Sequence, residues 1–301
     1  MPKANRDYDN VIKTLKHRHK RLFVPVINQA FNKNYPVDTV PKVLSTDSVL
    51  ENPETGEMEG RESDLFFDIC GDKYLIEFQS YNDGSMAIRI AEYSFMAARN
   101  TAEYDNGTVT LKMPYYTVVY VKSDKSTPKT TKINFEFPDG TKVDYDCENV
   151  LLSSFSKEEI IEKQLYPYIP YYITRYEKEI VNQGDVSQVI EDLEYFREEL
   201  TKLFQNKELS AEEIFDIMRY VNKIIKHISD GNDYEERMLC IMGGKVEETP
   251  SQELKRTTLE KTALSLFSDD VDYDIVRRSI PSDIVDDKRL KEIMQMTETI
   301  E

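Results

Sequence analysis

The sequence has few residues that could form thiol-based or imidazole-based sites. Of 301 residues, only three are cysteine and three are histidine. The cysteines (Cys70, Cys147 and Cys240) are scattered without a CxxC spacing, which argues against a zinc site and against a disulfide framework. The three histidines are too few and too dispersed for a histidine-based metal site. This cysteine usage is typical of the reducing cytoplasm, so we expect a cytoplasmic protein.

Long apolar segments and nucleotide-binding motifs are also missing. The chain has no run of eighteen apolar residues, and its polar, basic beginning lacks the apolar core of a signal peptide. We therefore expect neither membrane insertion nor secretion. Neither GxxxxGK[ST] nor GxGxxG occurs, so these motifs give no support for nucleotide binding. With 40% hydrophobic residues, the chain can nevertheless bury a sizeable core.

Positive charge is scarce. Lysine and arginine number 39 against 56 aspartates and glutamates, a net charge of −17, which opposes DNA binding because DNA affinity depends on neutralising phosphates. The acidity is uneven, with a net charge of −4 in residues 1–150 and −13 in residues 151–301. Within a basic run near the beginning, Lys16, Arg18 and Lys20 are candidate phosphate contacts. A solvated helix face is the alternative interpretation, and the run alone favours it.

Hydrophobic periodicity predicts an α/β region in the first half of the chain. The predicted elements are a helix over 9–33 that Pro25 bends or restarts, a strand within 40–50, a hairpin over 64–79, a helix from Ser85 to about Glu103, a buried strand over 115–121 and an added hairpin over 131–146. This order of helix, strand, hairpin, helix and strand predicts a nuclease-like domain over residues 1–155.

The character of the sequence changes after Ser153. A capping-box pattern at Ser156 to Glu159 opens a helical region. Amphipathic segments lie near 157–180, 187–205, 210–229, 251–267 and 283–296. Five tyrosines between 166 and 176 fit packing better than base stacking. We therefore predict a second, acidic, all-helical domain over residues 156–301.

The hairpin carries a pair of carboxylates with the spacing of a metal site. Asp64 begins its first strand and Glu77 lies near the end of its second, and in a tight hairpin these two positions are neighbours. Glu77 and Gln79 share one face because side chains alternate along a strand. Carboxylate oxygens with open positions for water suit Mg²⁺ or another divalent cation. The opposing interpretation is a turn aspartate and a solvent-facing strand edge, which spacing alone favours. The alternation of Glu77 and Gln79 with the apolar Ile76 and Phe78 weighs against it.

A set of motifs around this hairpin resembles the bacterial recombination-promoting nucleases, a family of putative transposases in the PD-(D/E)XK nuclease superfamily. The motifs are Pro25–Phe31, Ser63–Phe67, Tyr74–Ser80, Met86–Tyr93, Pro114 with Tyr116–Tyr120, Glu158–Leu165 and Ile169–Arg175. The resemblance covers roughly residues 20–180 and is weak or absent beyond them. It implies a restriction-endonuclease-like mixed-sheet core and a Mg²⁺-dependent endodeoxyribonuclease.

The resemblance also implies roles for individual residues. Asp64 would be the metal-binding aspartate and Glu77 the acid of the (D/E)XK element. Gln79 would stand where many superfamily members have a lysine that orients the attacking water. A glutamine amide can position water but brings no positive charge, and Ser63 replaces the proline of the superfamily label. Arg89, on the following helix, is a candidate phosphate contact, with a salt bridge as the alternative.

Three functional hypotheses follow. The first is a metal-dependent DNA endonuclease with little sequence preference that acts in recombination or in mobile elements. The second is a catalytically weak or inactive DNA-binding or defence module, which the acidic composition and Gln79 favour. The third makes the acidic helical half an interaction or homo-oligomerisation domain, and this is compatible with either of the others.

Overall fold

The computed structural model describes residues 3–44, 48–51, 58–61, 63–82, 84–243, 250–269, 271–281, 284–285 and 287–298. Its α-helices are α1 (Lys3–Arg18), α2 (Val24–Phe31), α3 (Met86–Arg99), α4 (Lys157–Glu162), α5 (Ile169–Tyr172), α6 (Glu177–Val181), α7 (Ser187–Gln205), α8 (Ala211–Ser229), α9 (Glu235–Ile241), α10 (Pro250–Ser268), α11 (Tyr273–Ser279) and α12 (Asp287–Glu298). Short 3₁₀ helices span Lys20–Phe23, Leu152–Ser154, Tyr166–Tyr168 and Ile173–Tyr176.

The strands of the described residues are short. They are β1 (Lys42–Val43), β2 (Ser48–Glu51), β3 (Met58–Arg61), β4 (Leu65–Ile69), β5 (Asp72–Gln79), β6 (Glu103–Asp105), β7 (Thr108–Thr110), β8 (Tyr115–Tyr120), β9 (Thr130–Thr131), β10 (Asn134–Glu136), β11 (Lys142–Asp144), β12 (Cys147–Glu148) and β13 (Val150–Leu151). Five of them form one central sheet, and the others pair in four two-stranded ribbons.

The central sheet is mixed. Its strand order is β1-β4-β5-β8-β13, which is also their order along the chain. β4 is antiparallel to β1 and to β5, whereas β8 is parallel to both β5 and β13. A parallel pair needs a crossover connection, and α3 provides it between β5 and β8. The predicted α/β class with a mixed sheet is therefore confirmed.

The hairpin formed by β4 and β5 is the framework of the candidate site. Antiparallel pairing runs from Leu65 opposite Ile76 to Ile69 opposite Asp72. The turn is Cys70–Gly71, between the paired residues Ile69 and Asp72. Both turn residues have positive φ angles, 55° and 92°, as the two-residue turn that best matches the twist of a hairpin requires.

Alternation along these strands divides the core into two layers of side chains. Leu65, Phe67 and Ile76 belong to a large cluster that also includes residues of α1, α2, α7 and α8. Phe66 and Leu75 face the other way and pack with Ile90, Tyr93 and other residues of α3. The sheet thus lies between helices on both faces, and α3 covers the face toward which Glu77 and Gln79 point.

Several helix boundaries differ from the predictions for local reasons. The predicted helix over 9–33 breaks after Arg18, and Pro25 lies in the first turn of α2, where a missing N–H costs nothing. The segment 157–180 is divided into α4, α5, α6 and 3₁₀ turns because Pro167 and Pro170 interrupt it. The boundaries of α7 and α8 are confirmed, whereas α9 and α11 were not predicted.

The chain divides into two compact units, residues 1–245 and residues 246–301. The predicted boundary between residues 155 and 156 lies inside the first unit, because α7 and α8 share one apolar cluster with the sheet. The second unit has its own small core, built from Ala263, Phe267, Val276, Ile280, Val285, Leu290 and Ile293. None of the described helices is both long enough and apolar enough for a membrane span.

Candidate metal centre

The candidate site lies at the open end of the hairpin, where β4 begins and β5 ends. Extending the pairing of Leu65 with Ile76 by one residue places Asp64 opposite Glu77. Both carboxylates are buried: Asp64 is 5% exposed and Glu77 is fully buried. The structure therefore brings together the two residues that the sequence predicted as metal ligands, in the interior of the sheet rather than at its solvent-facing edge.

Backbone N–H groups hold both carboxylates in place. The main-chain N–H of Asp64 donates to Oε1 of Glu77 at 3.1 Å. The main-chain N–H of Phe78 donates to Oδ2 of Asp64 at 2.9 Å. Each strand thus supplies a donor to the acid of the other strand, so the separation of the two carboxylates is set by the hairpin itself. Side chains positioned in this way need little reorganisation when they bind a ligand.

Arg89 completes the contacts of Glu77. It lies one turn into α3, and its guanidinium donates to Oε2 of Glu77 at 2.9 Å. Its guanidinium also lies 5.8 Å from the centre of the Tyr93 ring, which is itself buried among residues of α3 and the sheet. The ion pair that was the alternative interpretation of Arg89 is therefore present. With 29% of its side chain exposed, Arg89 also presents part of its surface to solvent beside the carboxylates.

The electrostatics of the pair favour a bound cation. Burial raises the pKa of Asp64 and raises the pKa of Glu77 well above its ordinary value, and the charge of Asp64 raises the pKa of Glu77 further. Arg89 and Lys13 oppose both shifts. Burial is the main cause of both shifts, because it removes the solvation of the ionised carboxylates, and a bound divalent cation would favour their ionised forms.

The donor set also fits a hard divalent cation. Asp64 and Glu77 offer four carboxylate oxygens. One on each acid accepts a backbone N–H, and the second oxygen of Glu77 accepts from Arg89. Mg²⁺ commonly takes only one or two protein carboxylates and keeps water in its other positions. Among the described residues, no group of three or more histidine, cysteine, aspartate or glutamate side chains has the arrangement of a metal site. A cation held by this pair alone would take its other ligands from water and substrate oxygens.

Gln79 lies beside the pair at the last position of β5. It is 5% exposed, and its main chain pairs with Tyr120 of β8. It follows Glu77 by two residues, so its side chain points to the same face. Its amide can orient a water molecule, and it carries no charge.

The basic run near the beginning of the chain does not form one solvent-facing patch. Lys16 is 1% exposed and contributes to the charge around Asp64, so it points into the protein. Arg18 contacts the buried carboxylate of Asp216 on α8, at 2.7 Å for the closer oxygen. His19 binds the same carboxylate at 2.7 Å. Lys20 is half-buried.

Lys13 is a cation of the site that the sequence did not single out as a candidate. Nζ of Lys13 lies 4.0 Å from Oδ1 of Asp64, and 32% of its side chain is exposed. The signal that could have identified it is its spacing of three residues from Lys16, which places both lysines on one face of α1.

Comparison with known protein families, with curated proteins and with solved structures finds no match for this chain.

Proposed function

We propose that this protein is a metal-dependent DNA endonuclease that hydrolyses phosphodiester bonds with little sequence preference, in recombination or in mobile elements. The observation that carries the proposal is the buried pair of Asp64 and Glu77, held side by side by backbone N–H groups with Arg89 against Glu77. The observed order of helix, strand, hairpin, helix and strand supports a restriction-endonuclease-like core. Three free cysteines agree with a reducing cytoplasm as its place of action.

Each residue of the site has its own role in phosphodiester hydrolysis. Asp64 and Glu77 would hold the divalent cation, Mg²⁺ or a substitute, through carboxylate oxygens. Such a cation, when bound, polarises the phosphate and lowers the pKa of a coordinated water molecule. Gln79 orients the attacking water through its amide. Arg89, 29% of whose side chain is exposed, contacts a phosphate oxygen while its Nη2 stays on Glu77.

A plasmid cleavage assay tests the proposal. Purified protein should nick supercoiled DNA with Mg²⁺ or Mn²⁺, and should lose this activity with a chelator. Asp64→Asn keeps the size of the side chain and should lower the nicking rate by about two orders of magnitude or more, because it removes the negative charge of one of the two metal ligands. Linear and single-stranded DNA in parallel reactions would define the substrate.

Asp68→Asn is the matched control, since Asp68 lies on the same strand and the same face but next to the turn. It should cut at the wild-type rate. If wild type, Asp64→Asn and Asp68→Asn behave alike with every divalent cation, the proposal is wrong. DNA binding that persists without cleavage, and that is unaffected by Glu77→Ala, would support the non-catalytic DNA-binding module instead.

A further inference from the structure

Helix α1 brings two lysines to the carboxylate pair. Lys13 places its ammonium 4.0 Å from Asp64, and Lys16, one turn later on the same face, is buried. Both positive charges lower the pKa of Asp64 against the effect of burial. The site therefore has local positive charge, although the strand position two residues after Glu77 is a neutral glutamine.

We propose that Lys13 is a catalytic residue of this site, which supplies from α1 the positive charge that Gln79 does not bring from β5. This inference rests on the proposed nuclease function. Two properties of Lys13 suit this role: its ammonium lies 4.0 Å from Oδ1 of Asp64, and 32% of its side chain is exposed. Lys16 is too deeply buried to contact a substrate, although its charge acts on Asp64.

The proposed step needs no change in the protonation of Lys13. Water adds to phosphorus while the bond to the leaving sugar oxygen breaks, the proton of the water passes to solvent, and the leaving oxygen takes up a proton. Negative charge accumulates on the phosphate oxygens in the transition state. A fixed ammonium beside them stabilises that state more than it stabilises the substrate, which is what accelerates a reaction.

The position of α1 is fixed from its other end. Arg18 and His19, at the end of α1 and just after it, both bind the buried carboxylate of Asp216. Asp216 is fully buried on α8, and Arg219 contacts it from the next turn of that helix at 3.0 Å. Residues of α1 also pack in the same apolar cluster as the sheet. Lys13 is therefore carried by a rigid element, as a preorganised charge requires.

Lys33 provides a matched control for Lys13. Both are lysines in ion pairs with an aspartate of the hairpin region, and their side chains are similarly exposed, 25% for Lys33 against 32%. The partner of Lys33 is Asp72, at the turn end of β5. Asp72 is five residues from Glu77, which corresponds to about 17 Å along a strand. Lys13→Met and Lys33→Met each remove one positive charge. Only Lys13→Met removes it from the candidate site.

The test combines cleavage with metal affinity. Lys13→Met should cut DNA roughly 10- to 100-fold more slowly than wild type, while Lys33→Met should cut normally. Lys13→Met should also bind Mn²⁺ about threefold to tenfold more tightly, because a cation that repels the metal is gone. Gln79→Lys in the Lys13→Met background should restore much of the rate, since it returns a positive charge to the same site. Lys13→Arg should keep most of the activity.

The outcomes separate this inference from the function on which it rests. A wild-type protein that neither cuts DNA nor binds Mn²⁺ overturns both. A wild type that cuts, together with a Lys13→Met variant that cuts equally fast and binds Mn²⁺ equally well, overturns only the assignment of Lys13. A slow Lys13→Met variant that melts at the wild-type temperature, but that Gln79→Lys does not rescue, also overturns it. Should Lys13→Met melt early, Lys13→Arg decides, because a loss of activity there contradicts a role in charge.

Discussion

At the scale of single residues, the two buried acids of the candidate site lower the free energy of unfolding when they are ionised. Asp64 and Glu77 are buried next to each other, and burial of like charges raises the pKa of both. Acids with raised pKa values bind protons more tightly in the folded state than in the unfolded state. Their contribution to stability is therefore lost as the pH rises above the ordinary carboxyl range. Because the ionised pair destabilises the folded protein when no metal is bound, binding of a cation between the two acids is favoured.

This electrostatic strain predicts a pH effect for Asp64→Asn. Without metal, the melting temperature of the wild type should fall between about pH 5 and pH 8, because both acids must ionise in the folded state. Asp64→Asn removes one charge and the repulsion on Glu77, so its melting temperature should fall less over the same interval. Thermal scans in a metal-free buffer series measure both curves.

The same thermal scans, repeated with Mg²⁺, test whether the carboxylate pair binds metal. Mg²⁺ should raise the melting temperature of the wild type, since a ligand that binds only the folded state stabilises it, and should leave Asp64→Asn nearly unchanged. Parallel curves for the two proteins, with and without Mg²⁺, would contradict the assignment of the carboxylate pair.

Arg89 compensates the negative charge of Glu77. Arg89→Met should lower the free energy of unfolding by about 1–3 kcal/mol, because it leaves a buried carboxylate without its cation; the partial exposure of Arg89 keeps the loss below that of a fully buried pair. Urea denaturation at neutral pH measures the loss. Lys112→Met is the control: it breaks an exposed ion pair with Glu103 and should cost less than about 0.5 kcal/mol. Equal losses in the two variants would show that Arg89 is no more than a surface partner.

At the scale of helices and strands, local sequence determined most of the elements. The capping boxes at Ser156 and Ser210 show why: in each, the serine hydroxyl accepts the N–H of a glutamate three residues later, which returns a bond to the serine N–H. The predicted helix begins at Ser85, but Ser85 has helical dihedral angles and makes no side-chain capping bond at the N-terminus of α3. Serine is a favoured N-cap residue, but with this backbone conformation Ser85 does not cap the helix.

The contrast between these serines predicts a difference in stability. Ser210→Ala should lower the free energy of unfolding by about 1 kcal/mol, because it leaves the N–H of Glu213 without its acceptor. Ser85→Ala removes no capping bond and should cost clearly less. Chemical denaturation of both variants in one buffer compares them, and equal costs would contradict the capping geometry.

At the scale of the whole molecule, the sheet and the helices from α4 to α9 depend on one core. Phe78 of β5 lies 5.8 Å from Tyr171 and 6.2 Å from Tyr168, ring centre to ring centre. Both tyrosines follow the predicted domain boundary at residue 155. A chain that ends there would expose the sheet face on which they pack, whereas residues 246–301 have a separate core.

Truncation tests this organisation. A chain ending at residue 155 should aggregate or fail to show a cooperative melting transition. A chain ending at residue 245 should melt cooperatively, within about 4 °C of the corresponding transition of the full chain, the shift that roughly 1 kcal/mol produces in a domain of this size. Light scattering on the same samples would measure whether residues 246–301 carry self-association. A stable, cooperative 1–155 fragment would contradict the shared core.

The sequence by itself determined the class of the fold, the hairpin with Asp64 and Glu77 on neighbouring strands, and most of the long helices. These depend on alternation, helical periodicity and capping, which act over a few residues. Only the tertiary structure decided that Lys16 points inward, that Lys13 reaches Asp64, and that Arg18 and His19 bind Asp216 almost two hundred residues later in the chain. Such contacts join segments far apart in the chain, and the free energy of burying and pairing their charges exists only once the helices have packed on the sheet.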